Sequence, residues 1–403
     1  MDVKYPDYNN SILNVSHTIL DYYKAESKYP VIPELKKVLD LGFKHVALIL
    51  LDGMGTNILE KHLDDQSFLR KHMIKKITSV FPPTTVAATN AVLTTKPPIV
   101  SGYLGWVQYF KKENTNHVVF LNEDFYDTKR TFHNNLRETY MKQDLIYDYI
   151  KRANTDVETY ELFPDFRPNG YKTFHLELKR LKEITNKNQK SFSYLYWAYP
   201  DLLEHETGIC SEHVKVELEK LNHDLEMFSQ TMNEDTVIIV IADHGLIDVE
   251  PIELYKHEEL MKMLLRMPSI EPRATNFFVK PFKKHKFKKM FNETYGNDYK
   301  LLSKRELIYS GLLGQGEQHP LIDSFLGDFM AISISNKYFK FKEGKLFKAH
   351  HAGLLAGEME VPLIVYHKKN ERLKWVSHFC ILFYFFFWFI AFSNFSCHHD
   401  RWC

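Results

Sequence analysis

The sequence predicts a doubly wound α/β fold, with a mostly parallel sheet, helices on both faces and an inserted cap region. Three observations carry that expectation. Strand-length apolar runs recur and stop in Asp, Gly or Pro, a regular amphipathic helix separates two of them, and acidic and histidine residues gather where the runs end. Composition agrees with a globular chain. Hydrophobic residues at 44% and charged residues at 26% of 403 exclude a disordered, collagen-like or polytopic membrane protein. The 52 Lys plus Arg against 51 Asp plus Glu leave a formal net charge of +1, which gives no basic footprint for a nucleic-acid partner.

The elements follow in order. The N-terminal stretch carries polar residues throughout and no apolar run before a small-residue cleavage site, so no signal peptide is expected. Lys44 to Leu51 is a continuous apolar run, as suits a strand buried on both faces, and Asp52-Gly53-Met54-Gly55 marks the turn after it. Lys76 to Val80 reads as a strand, followed by Phe81-Pro82-Pro83-Thr84-Thr85, where a helix can start. Ser193 to Trp197 ends in Ala198-Tyr199-Pro200-Asp201, and Thr236 to Ile241 ends in Ala242-Asp243-His244-Gly245. Between them Leu218, Leu221, Leu225, Phe228 and Met232 form one helical stripe, which makes the segment a βαβ unit. Residues about 250–345, with the lysine-rich stretch Lys280 to Lys289 and the glycines Gly311, Gly314 and Gly316, read as a cap insertion and not as a separate domain. Lys280 to Lys289 is expected to be a solvated face. Val361 to Tyr366 supplies a last strand, so the catalytic domain is expected to span 1–370.

The chemistry lies at the strand ends, where open α/β sheets bind ligands. Asp52, Asp201, His205, Asp243, His244 and the pair His350-His351 would converge on one edge. Oxygen and nitrogen donors without thiolate suit zinc, manganese or iron, and seven ligands are too many for one tetrahedral ion but about right for two. Two ions clamp the attacking and leaving oxygens of an in-line displacement at phosphorus. Thr84 and Thr85 supply hydroxyls at that edge, and a helix beginning there presents its first amides to a phosphate.

With these motifs in this order, the sequence resembles the alkaline phosphatase superfamily, in its type I phosphodiesterase and nucleotide pyrophosphatase branch. The resemblance runs from residue 44 to about 366 and implies an alkaline-phosphatase-like fold and two divalent metal ions, zinc first with manganese as the alternative. It implies that one ion takes Asp52, Asp243, His244 and the nucleophile oxygen of Thr85, and the other Asp201, His205 and His351. His351 is preferred over His350 because it directly precedes Ala352-Gly353. Phosphodiester or pyrophosphate hydrolysis through a phosphothreonine at Thr85, with Thr84 the near alternative, follows from the resemblance. Two departures concern substrate choice: Ala88 stands where the family keeps an Asn, with Asn90 two residues on, and Ser101 stands where it keeps a His. Asn90 and Arg273 are the substrate-contact candidates. The expected partner is a small phosphorylated substrate, a nucleotide among them.

Phosphomonoester hydrolysis is an alternative within the superfamily, although no arginine adjoins Thr85. A sulfatase is disfavoured, because Thr84-Thr85-Val86-Ala87 lacks the Cys or Ser that such enzymes convert. A different class altogether would be a non-catalytic, membrane-tethered binding protein. Its basis is the tail at 371–403, where Phe379 to Phe392 is apolar without a charge and three of the four cysteines lie. With Cys210 the one cysteine in the body, a reducing, cytoplasmic setting is expected, with membrane attachment through the tail as the alternative.

Overall fold

A computed structural model describes residues 2–369. The expectations for the tail at 371–403 lie outside the described residues. Among the described residues no helix is long and apolar enough to cross a membrane.

Six strands form the main sheet: β1 (His45–Leu51), β2 (Met73–Thr78), β3 (Val157–Leu162), β4 (Lys190–Trp197), β5 (Thr236–Ile241) and β6 (Glu360–His367). Their spatial order is β2-β6-β5-β1-β4-β3. The pairs β1–β4, β1–β5 and β3–β4 are parallel, and β6 runs antiparallel to both β5 and β2. The result is the α/β fold with a mostly parallel sheet that the sequence predicts. Every residue of β1 and β5 is buried, so both sheet faces are covered and the apolar runs show no alternation. Deleting such a side chain, as in Leu48→Ala, would cost about 2–5 kcal/mol through lost burial and the cavity left behind.

The helices that cover the sheet fall into two packed groups. Ile12–Tyr22 packs on Thr85–Thr94, while Glu212–Thr231 packs on Phe174–Thr185. Glu212–Thr231 starts at Ser211, whose side chain accepts the Val214 amide, and it buries Val214, Leu218, Leu221, Leu225 and Phe228. The predicted apolar stripe is thus its core-facing side, and Met232 caps the helix.

A second sheet has seven antiparallel strands. It takes Ser269–Ile270, Ala274–Phe277, Tyr299–Ser303 and Phe329–Ser333 from the expected insertion. Val107–Phe110, Thr115–Val118 and Glu123–Asp124 complete it, so this layer draws on a segment that the 250–345 reading leaves out. Val107 pairs with Ile270 across the join. The four-residue strand Val107–Phe110 is too short to signal its partner, which lies about 160 residues away in sequence. The lysine-rich stretch becomes helix Lys284–Tyr295, with Phe287, Phe291 and Tyr295 buried.

Candidate metal centre and nucleophile

Topology gathers the site. Asp52 follows β1, Asp201 opens helix Asp201–Thr207 after β4, and Asp243 follows β5, all at the carboxyl edge of parallel strands. Because β6 is antiparallel, its start lies at the same edge, and this brings the preceding loop with His351 into the site. Thr85 opens the ten-residue helix that follows β2. The turn after β1 requires glycine: Gly53 has φ +77°, and a Cβ there would lie 2.8 Å from the Asp201 Cα.

Two clusters have ligand atoms all within 4.8 Å of one another: Asp52, Asp243 and His244, and Asp201, His244 and His351. His244 sits between them, its ring stacked on His351 with centroids 3.8 Å apart. His205, one helical turn after Asp201, points its Nε2 at Asp201 Oδ1, 3.4 Å away. In each imidazole Nδ1 faces a backbone carbonyl: His205 that of Ala349, His244 that of Gly245 and His351 that of Pro83, at 2.8, 3.3 and 3.1 Å. With Nδ1–H donating there, each Nε2 lone pair is left for the centre of the site.

Asp52 and Asp243 are held on one side and open on the other. Asp52 Oδ2 accepts the Tyr196 hydroxyl, and Asp243 Oδ1 accepts the Gly53 and His244 amides at 3.2 and 3.0 Å. Asp52 Oδ1, Asp201 Oδ1 and Asp243 Oδ2 are buried with no hydrogen-bond partner. Burial, then the charges of Asp243 and Asp201, pushes the Asp52 carboxyl well above the usual range. Burial also raises Asp201 and Asp243, against the opposing pull of His205 and of His244 respectively. Burial holds the His244 and His351 imidazoles below their usual value, which favours their neutral form. Three converging carboxylates with unpartnered oxygens and no cationic side chain among them fit divalent cations.

The two threonines separate by geometry. Thr85 Oγ1 lies 3.4 Å from Asp52 Oδ2 and 3.3 Å from His244 Nε2, facing the cluster. Thr84 instead donates to Glu271 Oε1 at 2.6 Å. His350 is occupied locally, its Nδ1 against the backbone of His351.

Neither substrate-contact candidate reaches the cluster as expected. Asn90 is buried, and its amide donates to Val86 O in its own helix, 2.8 Å away. Arg273 is fully buried and spends its donors on Glu358 and on the carbonyls of Lys337 and Ser335. Glu358 in turn accepts the amides of Gly353 and Leu355, so this ion pair braces the loop that carries His351. Sequence reasoning missed Tyr196, Glu358 and Glu271. Tyr196 could have been flagged as a polar-tipped residue near the end of a buried strand, but the other two carry no local signal.

A family model described as type I phosphodiesterase / nucleotide pyrophosphatase matches residues 46–351. This span exceeds half the chain and includes every residue of the two clusters, so the chain belongs to that family, within the alkaline phosphatase superfamily. The family is one of phosphoric ester hydrolases. Human ectonucleotide pyrophosphatase/phosphodiesterase 5 superposes with a TM-score of 0.62 at 14% identity, over 80% of this chain and 87% of that one. An inactive variant of the murine protein in complex with AMP gives 0.59 at 15% identity, over 80% and 87%. Phosphonoacetate hydrolase from Sinorhizobium meliloti in complex with phosphonoformate gives 0.56 at 14% identity, over 80% and 89%. At such identities the likeness is one of fold. No curated protein matches the sequence.

Proposed function

We propose that the chain is a metal-dependent hydrolase of phosphodiester or pyrophosphate bonds that works through a covalent phosphothreonine at Thr85. One observation carries this reading: the Thr85 hydroxyl adjoins a buried cluster of carboxylates and imidazoles whose inward carboxylate oxygens have no hydrogen-bond partner. Asp52, Asp243, His244 and Thr85 Oγ1 would hold one cation, and Asp201, His205 and His351 the other, zinc first and manganese as the alternative. Two such ions supply the charge that acidifies a hydroxyl and neutralises the phosphoryl and leaving oxygens.

The chain's own residues do the rest. Thr85 Oγ1 gives up its proton to water and forms the new bond to phosphorus as the bond to the leaving oxygen breaks, and the leaving oxygen takes a proton from water. No acceptor among the described residues takes the Thr85, Val86 and Ala87 amides, so the first turn of helix Thr85–Thr94 is open to a phosphoryl oxygen. Water then cleaves the phosphothreonine, and two in-line displacements retain configuration at phosphorus. The murine structure holds AMP and the bacterial hydrolase a small phosphonate, which supports a small phosphorylated substrate, nucleotides included.

The test compares hydrolysis of a nitrophenyl phosphodiester, phosphomonoester and sulfate by wild type and Thr85→Ala. The diester should be preferred and the variant inactive. Full activity in Thr85→Ala would sink the nucleophile assignment, and a monoester preference would overturn the diesterase reading.

A further inference from the structure

Thr84 is the N-cap of the nucleophile helix, with the extended backbone of such a residue and its carbonyl accepting the Ala88 amide at 2.9 Å. A threonine there ordinarily turns its hydroxyl inward and accepts the second or third amide of the helix, here Val86 or Ala87. Thr84 makes no such bond. Its hydroxyl points away and donates to Glu271 Oε1 at 2.6 Å, and the same oxygen accepts the Trp106 amide at 2.7 Å. Glu271 is buried, and it comes from the second sheet's layer, next to strand Ser269–Ile270. Space around it is tight: a Cβ on Gly105 would lie 3.0 Å from Glu271 Cγ. Among the described residues no side chain accepts from the open amides at this end of the helix. Ala88 offers a methyl group, and the Asn90 amide is spent on Val86 O.

We propose that Glu271 is a positioning residue for the reaction at Thr85: it holds the Thr84 hydroxyl outward, so that the first-turn amides stay open for the phosphoryl group. The Trp106 amide, just before strand Val107–Phe110 of the same sheet, holds the Glu271 carboxylate in place, and the Thr84 hydroxyl ties that layer to the nucleophile helix. The inference rests on the reading of Thr85 as nucleophile.

Loss of the acceptor frees the Thr84 hydroxyl to cap its own helix and compete with the substrate for one amide, which should lower kcat about 100-fold. The experiment measures kcat and KM for a nitrophenyl phosphodiester, with thermal melting of each variant, for Glu271→Ala, Glu271→Gln, Thr84→Val and the double variant Glu271→Ala with Thr84→Val. Glu271→Ala should lose kcat with little change in KM. Glu271→Gln keeps an acceptor oxygen and should stay within about threefold of wild type. Thr84→Val has no hydroxyl to turn inward, so it should be active, and in the double variant it should recover most of the kcat lost in Glu271→Ala. A purely structural role would give no such recovery. Unchanged kcat in Glu271→Ala, or a double variant as slow as Glu271→Ala, overturns the proposal. If Glu271→Ala does not fold, loss of activity in Glu271→Gln or in Thr84→Val overturns it instead. Thr85→Ala in the same assay separates the two readings, because activity there removes the nucleophile while inactivity leaves Glu271 to be judged alone.

Discussion

The molecule buries carboxylates in two contrasting ways within a few residues of each other. At Arg273 and Glu358 every side-chain nitrogen and oxygen has a partner: the guanidinium makes two bonds of 2.7 Å to the carboxylate and two to carbonyls, and the carboxylate takes two loop amides. At Asp52, Asp201 and Asp243 each carboxylate keeps one oxygen with no hydrogen-bond partner, and among the described residues no arginine or lysine answers the charge. Both sites are almost fully buried. The first is complete and therefore structural. The second has the unmet carboxylate oxygens that we propose cations complete, and such unmet buried groups cluster where chemistry is done.

The largest effect expected from breaking this contrast is at the open site. Thr85→Ala should lower diester hydrolysis roughly 10⁴-fold while the thermal transition stays near that of wild type, measured by steady-state kinetics and circular dichroism. An equal loss of fold and activity would erase the distinction between the two sites. At the closed site the effect should be on stability: Arg273→Met leaves Glu358 buried and unpaired, for a loss of about 3–5 kcal/mol in urea denaturation. A variant as stable as wild type would show that the pair is dispensable.

Cation binding should sharpen the comparison further. At a hundredfold excess over its dissociation constant, added zinc should stabilise wild type by about 2.7 kcal/mol, and Asp243→Ala by much less. The smallest effect concerns a buried carboxylate in a third kind of setting. Glu177 has neither partner nor cluster, and burial pushes its pKa up to about 9. The folded chain therefore keeps a proton that the unfolded chain releases above the usual carboxylate pKa, so its contribution falls as pH rises from there toward 9. Glu177→Met should raise stability by about 1–2 kcal/mol at pH 8 and by less at pH 5. The opposite trend with pH would contradict the burial argument.

Much of this was legible in the sequence, and the reason is local. A strand buried on both faces must be a continuous apolar run, and a ligand at its end must be the next polar residue, so Asp52 and Asp243 announce themselves. Asp201 and His205 share a helix face through their spacing. What was not legible depends on partners far along the chain. Arg273 looks like a substrate contact until Glu358, 85 positions away, closes on it. Asn90 looks available until its amide turns back on Val86. Glu271 meets Thr84 across 187 positions, through a second sheet whose first strands lie outside the insertion the sequence suggested.

The central claim is that the open carboxylates are completed by cations. Elemental analysis of the purified chain, after dialysis against zinc and removal of the excess, tests it most directly. The account predicts two equivalents of zinc per chain, falling in Asp243→Ala and in Asp201→Ala. A chain that retains no divalent metal, with full diester hydrolysis in the presence of chelator, would contradict it.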